Sequence, residues 1–122
     1  MKPSALTTHV LDTANGVPAE GMAIEFWRME PEPALLVAGT TNADGRLDAA
    51  LLAPEHFAPG RYELRFGVGA YFAALGNDPG YLGNDPGYLG TVVLNVGLSE
   101  GEGHYHIPLL CSPWSYSTYR GS

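Results

Sequence analysis

Residues 61–68 alternate strictly: Tyr62, Leu64, Phe66 and Val68 fall on one side, Arg61, Glu63 and Arg65 on the other. A period of two is the signature of a strand with one buried face. The same rhythm sets Met22, Ile24 and Phe26 against Ala23, Glu25 and Trp27. Read this way, the chain predicts strands near Leu6–Leu11, Met22–Arg28, Leu35–Thr41, Arg46–Ala50, Arg61–Val68, Thr91–Leu98, His104–Cys111 and Trp114–Tyr119. Turn chemistry separates them: Asn15-Gly16, Pro31-Glu-Pro33, Asp44-Gly45 and Pro59-Gly60. A short segment rich in Ala and aromatics, about Ala70–Leu75, predicts the one helix. Sixteen Gly and ten Pro punctuating short β-like runs fit an all-β sandwich of about eight strands in two sheets.

One stretch breaks this pattern. Gly76-Asn-Asp-Pro-Gly-Tyr-Leu82 is followed at once by an identical Gly83-Asn-Asp-Pro-Gly-Tyr-Leu89. A perfect tandem copy reads as a duplication. Solenoid repeats have longer periods and more copies. Each copy holds Asp-Pro-Gly-Tyr, a β-turn pattern. An odd number of extra residues inside a paired strand would exchange its faces, so the duplicate is expected in the connection between the helix and the strand near Thr91. Doubling a flexible connection costs only about 0.6 kcal/mol in closure entropy.

The 122 residues suit a single domain, 1–122, with one core. The formal net charge of -7 argues against nucleic acid, which calls for a basic footprint, and against an anionic membrane surface. No apolar run approaches the ~18 residues of a membrane span, and the start shows no apolar segment of a secretory signal. Cys111 stands alone, so no internal disulfide forms. A cytoplasmic location is the expectation.

The candidate chemistry lies at both ends. His104 and His106 are two apart and share a strand face with Pro108 and Leu110, while Cys111 falls on the opposite, core face. His9 shares a face with Thr7 and Leu11, and Arg46 directly follows the Asp44-Gly45 turn. The segment Tyr119-Arg120-Gly121-Ser122 reads as part of a polar site. Two rival chemistries are weaker. His9, His104 and His106 would offer three nitrogens to a zinc ion, but no carboxylate or Cys stands beside them in ligand-like spacing, so no metal and no cofactor is expected. Ser122 lacks a visible base–orienter pair, which disfavours a serine nucleophile.

Four separated segments, in order, resemble the transthyretin-like 5-hydroxyisourate hydrolases of purine catabolism. They are Leu6-Thr-Thr-His-Val-Leu-Asp12, Thr41-Asn-Ala-Asp-Gly-Arg46, Gly60-Arg-Tyr-Glu-Leu64 and Ser112-Pro-Trp-Ser-Tyr-Ser-Thr118, followed by Tyr119-Arg-Gly-Ser122. The resemblance implies a transthyretin-like two-sheet sandwich assembled as a homotetramer, with sites in the cleft between two dimers. It implies hydrolysis of 5-hydroxyisourate, with His9, Arg46, His106 and Tyr119 catalytic and with His104, Arg120, Gly121 and Ser122 lining the substrate.

The implied reaction opens a six-membered ring at a lactam-like C–N bond. Water loses a proton and the departing nitrogen gains one; histidine suits both tasks. His106 and His9 would divide that work, in an order the sequence leaves open. Arg46 would hold the ring oxygens and stabilise charge on the attacked carbonyl. Tyr119 would donate or orient through its hydroxyl, and Gly121 would let backbone approach closely. Because the substrate is urate-derived and the chain is acidic, local positive charge must come from Arg46, Arg120 and the histidines. Two alternatives share the fold: a transthyretin-like small-molecule binding protein without catalysis, and a form whose duplicated segment impairs activity.

Overall fold

The structure is a computed structural model that describes residues 5–76, 86–101 and 103–121. Its strands are β1 (Ala5–Asp12), β2 (Val17–Pro18), β3 (Ala23–Arg28), β4 (Ala34–Thr40), β5 (Gly60–Phe66), β6 (Val92–Leu98), β7 (His104–Cys111) and β8 (Tyr116–Thr118). The helix α1 covers Val68–Ala74, and Pro54–His56 forms a single 3-10 turn. The strands make two four-stranded sheets, ordered β2-β1-β7-β8 and β4-β3-β5-β6. This is the expected two-sheet sandwich.

Alternation decides which residues meet between the sheets. From β5, Tyr62, Leu64 and Phe66 are buried, as are Ile24 and Phe26 of β3. Facing them are Leu6 and Val10 of β1 and Tyr105, Ile107 and Leu109 of β7. Phe26 and Tyr62 stack at 5.2 Å between ring centroids. Each large apolar side chain buried this completely contributes roughly 1.5–3 kcal/mol relative to exposure. α1 closes one end with Val68, Tyr71 and Phe72. Cys111 is buried, as its face requires, and burial pushes its thiol up to about 12.

β1 and β7 run parallel in an unbroken register from Ala5 opposite His104 to Asp12 opposite Cys111. This pairing brings Thr7 opposite His106. β1 ends in a wired turn: the buried Asp12 carboxylate accepts from Asn15 N at 2.9 Å, Asn15 Nδ2 at 2.7 Å and the Tyr71 hydroxyl at 2.8 Å.

Three sequence expectations need correction. Arg46–Ala50 is not a strand. The segment touches the outer edge of β1 at only two points, isolated bridges of Arg46 with His9 and of Leu52 with Leu6. Between them the chain bows away, leaving residues 48–50 exposed. The strand expected over Trp114–Tyr119 shortens to β8, and Trp114 and Tyr116 are exposed in the single chain, because β8 holds only to the edge of β7. β2 was missed: two residues are too few for a periodic signal. The duplicated heptads, 76–89, fall in sequence between α1 and β6, with residues 77–85 outside the described residues.

Candidate functional site

The turn at 42–46 places Arg46. Asn42 Oδ1 accepts from Asp44 N at 2.9 Å and Arg46 N at 3.2 Å, while the backbone closes through Gly45 N to Asn42 O at 2.9 Å. Gly45 has a φ of +76°, and a Cβ there would lie 2.3 Å from the Val10 carbonyl oxygen. Only glycine tolerates both conditions. That close approach lets Val10 N donate to Gly45 O at 2.8 Å and sets Arg46 against His9.

His9 is anchored by the same turn. Its Nε2 lies 2.7 Å from the Asp44 carbonyl oxygen. A carbonyl only accepts, so Nε2 carries a proton in either charge state and Nδ1 is the nitrogen left for proton exchange. The His9 and His106 ring centroids are 6.4 Å apart, tilted by 37°.

On β7, His104 and His106 project from the outer face, as the spacing predicts, with their centroids 6.4 Å apart. Thr7 Oγ1 stands between them, 2.7 Å from His104 Nε2 and 2.9 Å from His106 Nδ1. The bow of residues 47–50 supplies the opposite wall of an open cleft of about 490 Å³, lined among others by Thr7, Arg46, Asp48, His104 and His106. His9 borders this cleft without lining it. Asp48 is held by Asn42 Nδ2 at 3.0 Å. Burial first, then the Arg46 guanidinium, then His9 and His104, hold His106 below the usual histidine value. A neutral imidazole beside a cation is the state a general base needs.

The C-terminal segment divides. Gly121 pairs with His106 through two backbone hydrogen bonds, Gly121 N to His106 O at 2.7 Å and His106 N to Gly121 O at 3.2 Å. Arg120 instead lies over the Tyr105 ring at 4.3 Å from its centroid. With the exposed Tyr119, it lines a separate apolar pocket of about 280 Å³ beside β6. The structure thus brings His9, Arg46, His104, His106 and Gly121 together and leaves Tyr119 and Arg120 apart within one chain; Ser122 lies outside the described residues. Sequence reasoning missed Thr7 as a participant, although its shared face with His9 was the available signal.

The class these features define is a two-sheet β-sandwich bearing an imidazole–guanidinium cleft on the outer face of one sheet. The chain belongs to the HIUase/Transthyretin family, whose model matches residues 6–121. It is similar to the 5-hydroxyisourate hydrolase of Pseudomonas aeruginosa, with 49% identity across 96% of this chain and 90% of that protein. Among solved structures, a 5-hydroxyisourate hydrolase from Klebsiella pneumoniae superposes with a TM-score of 0.78 and 36% identity, covering 98% of this chain and 99% of the other. An (S)-allantoin synthase superposes with a TM-score of 0.83 and 43% identity, covering 99% of this chain but spanning only 44% of that longer one.

Proposed function

We propose that the protein hydrolyses 5-hydroxyisourate to 2-oxo-4-hydroxy-4-carboxy-5-ureidoimidazoline, opening the six-membered ring. The observation that carries this reading is a neutral His106 and Arg46 on one cleft with His9 at its border, 6.4 Å from the His106 ring, in a chain nearly half identical to a protein bearing that name.

In this reading His106 Nε2 takes a proton from water. The resulting hydroxide adds to the ring carbonyl carbon, and Arg46 stabilises the negative charge gathering on its oxygen. The C–N bond breaks, and the departing nitrogen takes a proton from Nδ1 of a His9 imidazolium, whose Nε2 stays on the Asp44 carbonyl. A water-mediated transfer from His106 back to His9 closes the cycle. No covalent intermediate forms, and water ends as OH on carbon and H on nitrogen. The proposal extends to a tetramer, with Trp114, Tyr116 and Tyr119 supplying exposed aromatic surface for contacts between chains; a monomer by light scattering at assay concentration would reject that part.

The test is the decay of freshly generated 5-hydroxyisourate followed spectrophotometrically. Wild-type protein should accelerate it, and His106→Gln should lose about 10²–10⁴-fold in kcat with an unchanged melting curve. Absence of acceleration by the wild type would favour a binding protein on the same fold.

A further inference from the structure

The Thr7 hydroxyl has one proton but stands within hydrogen-bond distance of two imidazole nitrogens, His104 Nε2 at 2.7 Å and His106 Nδ1 at 2.9 Å. Each contact needs a proton of its own. The hydroxyl can supply only one, so at least one ring must donate; Oγ1 can also accept from both rings with its own proton turned elsewhere. Two arrangements of the neutral rings use the hydroxyl proton in one of the contacts and so link the two rings. In the first, His106 Nδ1–H donates to Thr7 and Thr7 O–H donates to His104 Nε2, which leaves His106 Nε2 as a bare lone pair. In the second, both donations reverse, and His106 carries its proton on Nε2.

We infer that Thr7 is a positioning residue that fixes the tautomer of His106 and joins it to His104 in one proton chain. The first arrangement is the working one. It keeps the Nδ1 proton on Thr7 and leaves Nε2 free to accept; among the described residues none hydrogen-bonds Nε2. The far side of the ring, at Cδ2, is filled by Gly121.

The chain also disposes of the charge that catalysis creates. When His106 Nε2 takes the proton from water, the ring becomes an imidazolium beside Arg46 and partly buried. His104 is exposed to solvent. Two short shifts, His106 Nδ1–H to Thr7 and Thr7 O–H to His104 Nε2, carry the positive charge to the wetter ring and no bond is left unbalanced. The reverse shifts return it, and the Nε2 proton then leaves His106. The charged and titratable groups facing His106 are Arg46 and Asp48 on the bowed segment, His9 on β1 and His104 on β7.

This inference rests on the hydrolase reading, but its test separates the two. Nitrogen-15 correlation spectra of the histidine rings report tautomers without substrate. Wild-type His106 should show a protonated Nδ1 and a bare Nε2; Thr7→Val, which keeps the shape and removes the hydroxyl, should shift it toward the Nε2–H form. In the ring-opening assay Thr7→Val should lose about tenfold in kcat, the worth of one hydrogen bond, with KM little changed. Its acid limb should move to lower pH, because the imidazolium loses its Thr7 partner. Thr7→Ser should restore the tautomer, the limb and most of the rate. Adding His104→Gln to Thr7→Val should cost little more, since both break one chain. Unchanged spectra and kcat in an active Thr7→Val enzyme would overturn the inference. An inactive wild type with the expected tautomer would overturn the hydrolase reading instead.

Discussion

Gly121 packs its α-carbon against the His106 side chain so closely that a Cβ there would stand 3.3 Å from both Cβ and Cδ2 of His106. The contact is made possible by the paired backbone hydrogen bonds of the two residues. It frames one side of the imidazole while Thr7 frames the other. Gly121→Ala should therefore tilt the ring and lower kcat by about 3- to 10-fold through misplacement of the base, with little change in melting temperature. Gly121→Val should lower it further. Normal kcat in both variants would show that the ring does not depend on this support.

Arg46→Gln separates two effects of one charge. Loss of the guanidinium should lower kcat/KM by about 10²–10³-fold through lost stabilisation of the developing oxyanion. It should also shift the pH profile. Arg46 helps hold the His106 value down, so its removal raises that value. Because the neutral ring is the base, the acid limb of kcat/KM should then move to higher pH. A limb that stays in place or moves down would assign it to another group.

Stability away from the cleft should respond to Tyr71. Its hydroxyl donates to the buried Asp12 carboxylate at 2.8 Å, and burial followed by that carboxylate holds the phenol well above its usual range. Tyr71→Phe leaves Asp12 with its two bonds from Asn15. The expected loss is about 1–3 kcal/mol by urea denaturation, with catalysis retained. A variant as stable as the parent would show that Asn15 alone satisfies the carboxylate.

Deleting residues 76–82 or 83–89 yields the same sequence, so one variant tests the duplication. Stability should rise by about 0.6 kcal/mol from the shorter closure, and kcat/KM should stay within roughly twofold, as for changes away from a site. A large fall in activity would give the duplicate a role in the cleft or in assembly.

Much of the sandwich was legible because its strands bury one face. The alternation of Tyr62, Leu64 and Phe66 identified the inward residues of β5, and the same rule put His104 and His106 outside and Cys111 inside. The segment after Arg46 was misread because local pattern says nothing about how often a neighbouring strand edge is met; here β1 meets it at two isolated bridges. The tail was read as one unit, yet adjacent residues go different ways, Gly121 to His106 and Arg120 to Tyr105. Thr7 was visible only as a residue on the His9 face. Its significance depends on the parallel register that sets it opposite His106, and register between segments almost a hundred positions apart carries no local signal.

That parallel β1–β7 pairing has a kinetic corollary. During synthesis β1 leaves the ribosome long before its partner exists, and no local hairpin can substitute for a parallel neighbour. Closing so long a span is slow, and the waiting strand has an open edge. The reaction centre is accordingly among the last parts of the molecule to be born: His9 must wait for His106, and a nascent polypeptide stopped before β7 would hold the strands of one sheet but no chemistry.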